Sequence, residues 1–361
     1  MEEYNNSIIQ EDIFQISNYP LRWTDLLNKT VLVTGAGGMF ARYIIYTLIY
    51  LNENKKFNIR ILCLMRSEDK FNKYFGFHAS TDKCIPIIQD VCDKLQYSNE
   101  IDYIFHFAGN ANVTSIVNNP VDIIKTNTVG TLNIFELARK TNCKKVIFAS
   151  TREIYGRPSE RYDELREDSL GTLDPLDDRT CYPESKRMAE NICCSYFLQY
   201  KIKYNILRIA HVYGPTMNII NDGRIMSDLL YSIINKSNIV LKSNGEMERA
   251  FCYLSDAIIG IFLVLFNAKE SAVYNLANES EPIKIIDLAN ILADISSERG
   301  HSIDIKINQS NTQKGYFKFE RKKMSLKKIE HLGWNPAITL KDGLNRCIDV
   351  LNSIQHIDKS N

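Results

Sequence analysis

Three short stretches of the sequence hold side chains whose types and spacing suit the oxidation of an alcohol. Tyr182 and Lys186 are four residues apart, so they share one face of a predicted helix. An ammonium group beside a phenol favours the phenolate, which predicts that Lys186 lowers the pKa of Tyr182 from about 10 toward working pH. A phenolate is a general base for a substrate hydroxyl. Thr151, at the end of a predicted strand, is expected to orient that hydroxyl by a hydrogen bond.

A predicted strand that runs into a glycine turn supplies the partner for this chemistry. After the strand, Gly35 permits a tight turn, Gly38 lets the backbone approach a phosphate, and the small Ala41 allows close packing of helix on strand. The pattern is typical of a dinucleotide site, although glycine turns after strands also occur without a ligand. The Tyr182 and Lys186 spacing also occurs by chance on exposed helices, and it gains weight from this turn.

Two later loops and one basic residue bear on the cofactor. Gln89–Val91 follows the third predicted strand and is placed to reach an adenine, and His106–Gly109 follows the fourth, where a nicotinamide riboside would lie. A carboxylate usually ends the second strand of such sites and binds the adenosine ribose. Arg66 stands there instead. It either pairs with a 2′-phosphate, which indicates NADP, or is a solvated surface residue that leaves NAD as the cofactor.

These side chains need a parallel sheet to position them. From Lys29 onward, apolar strands alternate with longer helical segments, which predicts an α/β fold: a Rossmann-type, doubly wound parallel sheet with a smaller C-terminal α/β lobe. We expect a helical extension (1–28) packed outside the sheet and an NAD(P)-binding domain (29–211). The rest of the chain (212–361) is expected to be mainly a substrate-binding lobe, apart from a segment (251–268) that returns to the NAD(P)-binding domain. The predicted strands are Thr30–Thr34, Ile59–Met65, Cys84–Gln89, Tyr103–Phe107, Lys145–Ser150 and Tyr204–Ile209.

Composition and charge exclude several other classes. The 361 residues carry a net charge of +1 and are 45% hydrophobic, so no global field favours nucleic acid or an anionic membrane. The nine cysteines form no CxxC pair, so we expect no metal site and a reduced, cytoplasmic protein. No apolar run approaches the roughly 20 residues that span a bilayer. The first residues are too polar for a secretory leader.

Jointly, these motifs resemble those of the extended short-chain dehydrogenase/reductases that modify nucleotide sugars, the NAD-dependent epimerase/dehydratase family. The resemblance implies a nucleotide-sugar substrate, NAD as the cofactor, a homodimer formed through two helices of each subunit, and a place in polysaccharide biosynthesis. It implies the catalytic residues Thr151, Glu153, Tyr182 and Lys186. The stretches that carry it are Thr34–Ala41, His106–Gly109, Lys125–Thr131, Ser150–Gly156, Tyr182–Glu190, Arg208–Pro215, Arg249–Phe251 and Leu332–Pro336. The cofactor contacts that we expect are Gly35, Gly37, Gly38, Met39, Phe40, Arg66, Asp90, Val91, Phe107, Ala108, Gly109, Asn127 and Lys186.

The residues after Thr151 bear on the reaction that the resemblance implies. Tyr182 would take the proton of the sugar 4-hydroxyl while the cofactor takes hydride, which gives a 4-keto sugar. Dehydratases typically carry Asp-Glu after the threonine, whereas this chain has Arg152 and Glu153. The nearest pattern is the Thr-Ser-Glu of UDP-glucuronate decarboxylases, which are lyases. The alternatives are a 4-epimerase (an isomerase), a 4,6-dehydratase, an NADPH-dependent keto-sugar reductase and a non-catalytic sensor of the same fold.

The candidate substrate contacts include two departures from the family pattern. We hypothesise that Arg152 lies near C6 and favours a sugar with a carboxylate; the alternatives are that it turns outward or binds phosphate. His211 stands where relatives usually carry an asparagine that touches the diphosphate, so it either binds substrate or is a structural histidine. The resemblance places Arg249 on the diphosphate. The expected substrate contacts are Arg152, His211, Arg224, Arg249 and Arg321.

Overall fold

The computed structural model describes residues 3–79, 83–308 and 321–358. Its strands, in chain order, are β1 (Thr30–Thr34), β2 (Arg60–Met65), β3 (Cys84–Ile88), β4 (Tyr103–His106), β5 (Lys145–Thr151), β6 (Arg157–Pro158), β7 (Gly171–Thr172), β8 (Tyr204–Ile209), β9 (Val212–Tyr213), β10 (Ile239–Leu241), β11 (Glu248–Arg249), β12 (Cys252–Tyr253), β13 (Ala272–Leu276), β14 (Ile283–Lys284) and β15 (Ile305–Ile307).

The α-helices are α1 (Ser7–Asn18), α2 (Met39–Lys55), α3 (Glu68–Ala79), α4 (Val113–Asn118), α5 (Pro120–Lys140), α6 (Cys181–Tyr200), α7 (Ile225–Ile234), α8 (Leu254–Asn267), α9 (Ile285–Glu298), α10 (Lys327–Glu330) and α11 (Leu340–Asp358). Short 3₁₀ helices cover Glu3–Asn5, Trp23–Leu26 and Arg152–Tyr155.

Seven of the strands form one parallel sheet in the order β13-β8-β5-β4-β1-β2-β3. The chain enters at β1, builds outward to β3, and then crosses back to β4 and continues to β13. The direction of winding therefore reverses between β1 and β4, and a crevice opens beyond the carboxyl ends of those strands. This confirms the predicted doubly wound, Rossmann-type sheet. The seventh strand, β13, was missing from the predicted set.

Side chains on successive residues of each strand enter two different cores, because they point to opposite faces of the sheet. Val31 and Val33 of β1 pack toward α2 and α8, whereas Leu32 packs toward α5 and α6. Both faces of the sheet are covered by helices, as a parallel sheet requires. The segment Leu254–Asn267 lies in the first of these layers as α8, and its apolar side chains are buried on all sides.

The N-terminal extension packs on the layer of helices that covers one face of the sheet. Its helix α1 contacts α2 and α8, so it lies outside the sheet and one layer away from the strands. Trp23 also packs on this layer of helices, because its ring contacts Phe262 of α8 at a centroid distance of 4.8 Å. Buried Asp12 accepts hydrogen bonds from Tyr43 of α2 and from Tyr253. The physical reason is that α2 and α8 are apolar on their outer faces too, and those faces require cover.

A second apolar core lies in the C-terminal half of the chain, between α7, α9 and α11. Two short strand pairs flank it, β10 with β15 and β11 with β14. The pair of β9 with β12 joins this core to the end of the main sheet. None of the described helices combines the length and apolarity that a bilayer crossing needs.

A buried polar network holds β5, α6 and β8 together beneath the crevice. Arg208 of β8 donates to both carboxylate oxygens of Glu190 on α6, at 3.1 and 2.8 Å. The Ser150 hydroxyl of β5 donates to the same carboxylate at 2.5 Å. Arg208 also donates to the hydroxyl of Tyr155, which donates in turn to Asn275 of β13. The network therefore fixes α6 against the end of β5.

Glu190→Ala tests this network, because the substitution leaves the buried guanidinium of Arg208 without a counter-ion. We expect the free energy of unfolding to fall by about 3–5 kcal/mol, measured by urea denaturation. Glu184→Ala is the matched control on the same helix, since its ion pair with Arg187 is part-exposed and its loss should cost less than about 1 kcal/mol. Equal effects of the two substitutions would contradict the assigned role of the network.

Candidate active site

A cavity of about 750 Å³ opens at the carboxyl ends of the central strands and extends between the sheet and the C-terminal lobe. It brings together residues that are far apart in the sequence, because the ends of parallel strands meet at one edge of the sheet. The predicted site residues that line it are Phe40, Phe107, Gly109, Thr151, Arg152, Glu153, Tyr182, Lys186, His211, Arg224 and Arg249.

The glycine turn lies beside the cavity, between β1 and α2. Gly35 has a φ of +66°, and a Cβ placed on it would lie 2.9 Å from the Cα of Ala108 and from the carbonyl oxygen of Phe107. Only glycine fits both the backbone conformation and this close approach. Gly38 is the N-cap of α2 and has no side chain to cap the helix, so the first backbone N–H groups of α2 face outward as an anion site.

A buried hydrogen-bond chain sets the position of the loop after β4. The hydroxyl of Thr34 accepts hydrogen bonds from the backbone N–H groups of Phe107 and Ala108. It also pairs with Nδ1 of His106, and Nε2 of that ring pairs with Thr131 of α5. Burial lowers the pKa of His106 to about 3, so the ring is neutral and structural. The loop His106–Gly109 is thereby held against the glycine turn.

Tyr182 and Lys186 lie on one helical face, but the predicted effect of one on the other is wrong. Burial raises the pKa of the Tyr182 phenol above its ordinary range, and the carboxylate of Glu153 raises it further. Thr151, which hydrogen-bonds the phenol, and the guanidinium groups of Arg224 and Arg179 lower it. Lys186 is not among the largest influences on this pKa, and its ammonium donates instead to the carbonyl of Ala149. The phenol therefore depends on surrounding cations to act as a base at neutral pH.

The ammonium of Lys186 lies in the crevice, close to Gly109 and Asn127. Its Nζ donates to the carbonyl of Ala149 at 2.8 Å, and burial lowers its pKa to about 8. A Cβ on Gly109 would lie 3.2 Å from this Nζ and 3.3 Å from Oδ1 of Asn127. That Oδ1 is buried and has no hydrogen-bond partner among the described residues. An unsatisfied acceptor beside a cation, in a space that only glycine leaves open, fits a polar ligand such as the ribose and amide of a nicotinamide.

The other expected cofactor contacts follow the carboxyl ends of β1 to β3. Arg66 comes directly after β2 and its side chain is 80% exposed, with Nη1 3.8 Å from Oδ2 of Asp90 after β3. Val91 is buried against Gly130 of α5, and its carbonyl accepts from Asn133. The remaining expected contacts, which border the glycine turn, are Gly37, Met39 and Ala108.

Three arginines surround His211 at the other end of the cavity. Burial lowers the pKa values of Arg152 and Arg249 to about 10, and the charge of Arg321 lowers both further; the charge of Arg152 also lowers the pKa of Arg249. The same three cations and burial lower the pKa of His211 below its ordinary range. Arg321 forms an ion pair with Glu279, whereas no salt bridge joins Arg152 or Arg249 to a described residue. A cluster of this kind is suited to bind an anion with several charges.

His211 itself shows two features of a strained functional residue. Its φ is +46°, in the left-handed region, and its Nε2 is buried without a hydrogen-bond partner among the described residues. Its ring packs on Phe251 at a centroid distance of 5.9 Å. Arg152 turns inward, because its Nη2 donates to the carbonyl of Lys322 and its side chain lines the cavity. Arg224 also faces the cavity, held by the carboxylate of Asp222.

Among the charged residues of this site that sequence reasoning missed, Arg179 lies beside the predicted catalytic residues. Its Nη2 donates to Oε1 of Glu153 at 2.5 Å, and both side chains line the cavity. The one signal in the sequence was its position three residues before Tyr182. In the structure the backbone N–H of Tyr182 donates to the carbonyl of Arg179, so the two residues belong to one turn. Nothing in the spacing alone distinguishes such an arginine from a solvated one.

Comparisons with known proteins found a matching family profile and similar relatives. A family profile described as the NAD dependent epimerase/dehydratase family matches residues 31–277. UDP-glucuronic acid decarboxylase 1 of Xenopus tropicalis is 33% identical over 263 residues, which are 73% of this chain and 59% of the relative, so the chain spans little more than half of that protein. UDP-glucuronic acid decarboxylase 5 of Arabidopsis thaliana is 31% identical over 88% of this chain and 87% of its own length.

Solved structures share the fold at lower identity. A UDP-glucuronic acid 4-epimerase from Bacillus cereus, in complex with UDP-glucuronic acid and NAD, has a TM-score of 0.73 and 23% identity over 90% of this chain and 99% of the other. A UDP-glucose 4-epimerase from Thermotoga maritima has a TM-score of 0.74 and 20% identity over 91% and 99%.

Gly35→Ala tests the turn. We expect at least a tenfold loss of dinucleotide affinity, because the added methyl group clashes with the backbone of the loop after β4 and displaces the N-terminus of α2. Titration of the dinucleotide by quenching of tryptophan fluorescence measures it. Gly300→Ala is the control, since that glycine also has a positive φ but nothing within 4 Å, and it should leave affinity unchanged. Equal affinities for the two variants would contradict the assignment.

Proposed function

The chain belongs to the NAD dependent epimerase/dehydratase family, and we propose that it decarboxylates UDP-glucuronate through a transient 4-keto sugar. The observation that carries the proposal is the combination, in one cavity, of a buried base with a cluster of cations that suits a polyanionic sugar nucleotide. The curated relatives that carry the same activity in their names, at 31–33% identity, support the choice.

The chemistry assigned to the chain's own residues begins at the sugar 4-hydroxyl. Thr151 would orient that hydroxyl and Tyr182 would accept its proton, while Arg179 and Arg224 stabilise the phenolate. When bound, the nicotinamide cofactor supplies the hydride acceptor and returns the hydride later. Lys186, Asn127 and the glycine turn would hold it. These assignments rest on the contacts described above and on the family resemblance.

Oxidation at C4 makes the C6 carboxylate part of a β-keto acid. The C5–C6 bond then breaks, its electron pair forms the C4=C5 double bond of an enolate with the negative charge on O4, CO₂ departs, and C5 gains a proton from water to restore the ketone before it is reduced. Glu153 stands beside Tyr182 as a hydrogen-bond acceptor for the sugar, since its Oε2 is buried without a partner among the described residues. The aspartate that a 4,6-dehydratase would use is replaced by Arg152, which weighs against loss of water.

We propose NAD rather than NADP as the cofactor. Arg66 is close enough to Asp90 for its charge to be partly neutralised, and a 2′-phosphate beside Arg66 would also meet that carboxylate. The feature that favours NADP is the exposed guanidinium of Arg66, which would attract a 2′-phosphate. The nearby carboxylate of Asp90 weakens that attraction.

The expected homodimer and cytoplasmic location are part of the same proposal. Apolar side chains of α5 and α6 are exposed in the single chain, among them Val121 at 59%, Leu132 at 43% and Leu198 at 64%. A second copy would cover them, since exposed apolar helix faces mark interfaces. All nine cysteines are free, which supports a reducing compartment.

Incubation of the purified protein with UDP-glucuronate and NAD tests the proposed reaction. We expect release of one CO₂ per nucleotide sugar, no net reduction of NAD, and weaker activity with NADP, followed by mass spectrometry. Tyr182→Phe should lower kcat at least about 100-fold, because it removes the base. An unchanged mass with inverted C4 would instead show 4-epimerisation and contradict the proposal. Loss of water or gain of two hydrogens would indicate a dehydratase or a reductase.

Arg152→Ser tests the role of the extra cation. We expect it to weaken binding of UDP-glucuronate about tenfold and to change binding of UDP and UDP-glucose less than about twofold, because the lost hydrogen bonds go to the C6 carboxylate. Isothermal calorimetry on the three ligands measures this, with the exposed Arg161→Ser as control. Equal weakening for all three ligands would place Arg152 on the diphosphate and contradict the assignment.

A further inference from the structure

A buried ion pair joins the end of β5 to the start of α6. Arg179 Nη2 lies 2.5 Å from Glu153 Oε1, and the two side chains are only 10% and 27% exposed. Glu153 is in the 3₁₀ helix directly after Thr151, and Arg179 is in the turn directly before Tyr182. The pair thus spans the two segments that carry the proposed catalytic hydroxyl groups.

The second carboxylate oxygen of Glu153 is left for a ligand. Oε2 is buried and no described residue donates to it, although an unpartnered carboxylate oxygen in the interior costs stability. A purely structural ion pair in this place would be expected to satisfy both oxygens. Oε1 is held by Arg179 and both side chains line the cavity, so Oε2 is the carboxylate oxygen that remains to be satisfied by a ligand there.

We propose that Arg179 is a positioning residue, which fixes Glu153 so that Oε2 accepts a hydrogen bond from a hydroxyl of the sugar next to the Tyr182 phenol. The inference deepens the proposed function and rests on it. Arg179 has no contact with the substrate in this scheme and acts through Glu153 and through its charge. It is a role that none of the family motifs quoted above assigns.

Electrostatics give Arg179 a second effect on the same reaction. The charged and polar groups that face the Tyr182 phenol are Glu153 and Thr151 from the β5 end, Arg224 from the lobe, and Arg179 from the preceding turn. Glu153 raises the pKa of the phenol, whereas Arg179 and Arg224 lower it. Arg179 therefore offsets the carboxylate that it holds, and its removal leaves Glu153 to oppose formation of the phenolate.

Arg179→Met, Arg179→Lys, Glu153→Gln and the double variant Arg179→Met/Glu153→Gln test the proposal with UDP-glucuronate as the probe. Arg166→Met is the matched control, because Arg166 is exposed and pairs with Asp168 outside the cavity. We expect Arg179→Met to lower kcat at least about tenfold with little change in the Kd of UDP, and to move the rising limb of the kcat profile to higher pH, because a cation that lowers the phenol pKa is lost. Arg179→Lys should restore part of kcat.

The double variant separates positioning from general stability. If Arg179 positions Glu153, Arg179→Met should lower the high-pH plateau of kcat, where the phenol is ionised in every variant, less than about twofold in the Glu153→Gln background, since coupled residues are not additive. Additive losses at that plateau, or an unshifted pH profile in an Arg179→Met enzyme that unfolds at the wild-type temperature, would overturn the proposal. A wild-type enzyme inactive on every nucleotide sugar would instead overturn the proposed function, and this inference with it.

Discussion

Burial of the Tyr182 phenol is the constraint on which the rest of the site depends. A phenol removed from water resists ionisation, so a base at this position requires positive charge close by. The guanidinium groups of Arg179 and Arg224 supply it, while the ammonium of Lys186 is held by the carbonyl of Ala149. The turn before α6, which carries Arg179, and the lobe, which carries Arg224, must therefore both pack close to the Tyr182 phenol.

Positive charge at the other end of the same cavity is suited to bind an anionic ligand rather than to ionise the phenol. Burial and the charge of Arg321 lower the pKa values of Arg152 and Arg249, an arrangement that is unfavourable until an anion enters. Binding energy from a polyanionic sugar nucleotide would therefore be large, supplied in the proposed scheme by Arg249 at the diphosphate and by Arg152 at the C6 carboxylate. Contacts at the diphosphate would hold the sugar against Thr151 and Tyr182, since remote contacts position the reacting group.

Residues with a local signature were predictable, and those that act across the fold were not. The glycine turn, the strand ends and the Tyr182 and Lys186 pair have fixed spacings in one segment. Arg179 has no such spacing, because its partner Glu153 lies 26 residues away and is reached only when α6 packs against β5. The expected lowering of the Tyr182 pKa by Lys186 was wrong because helical spacing reports which face two residues share, but not how deeply they are buried or where an ammonium points.

By itself, the sequence determined the alternation of strands and helices, the turn that only glycine can form, and the family, since each depends on residues near one another in the chain. The tertiary structure alone decided the seventh strand, the packing of the N-terminal helix on α2 and α8, and the balance of charges around Tyr182. These features depend on burial and on distances between segments remote in sequence. Desolvation and Coulomb energies are set by that packing, and no local pattern encodes them.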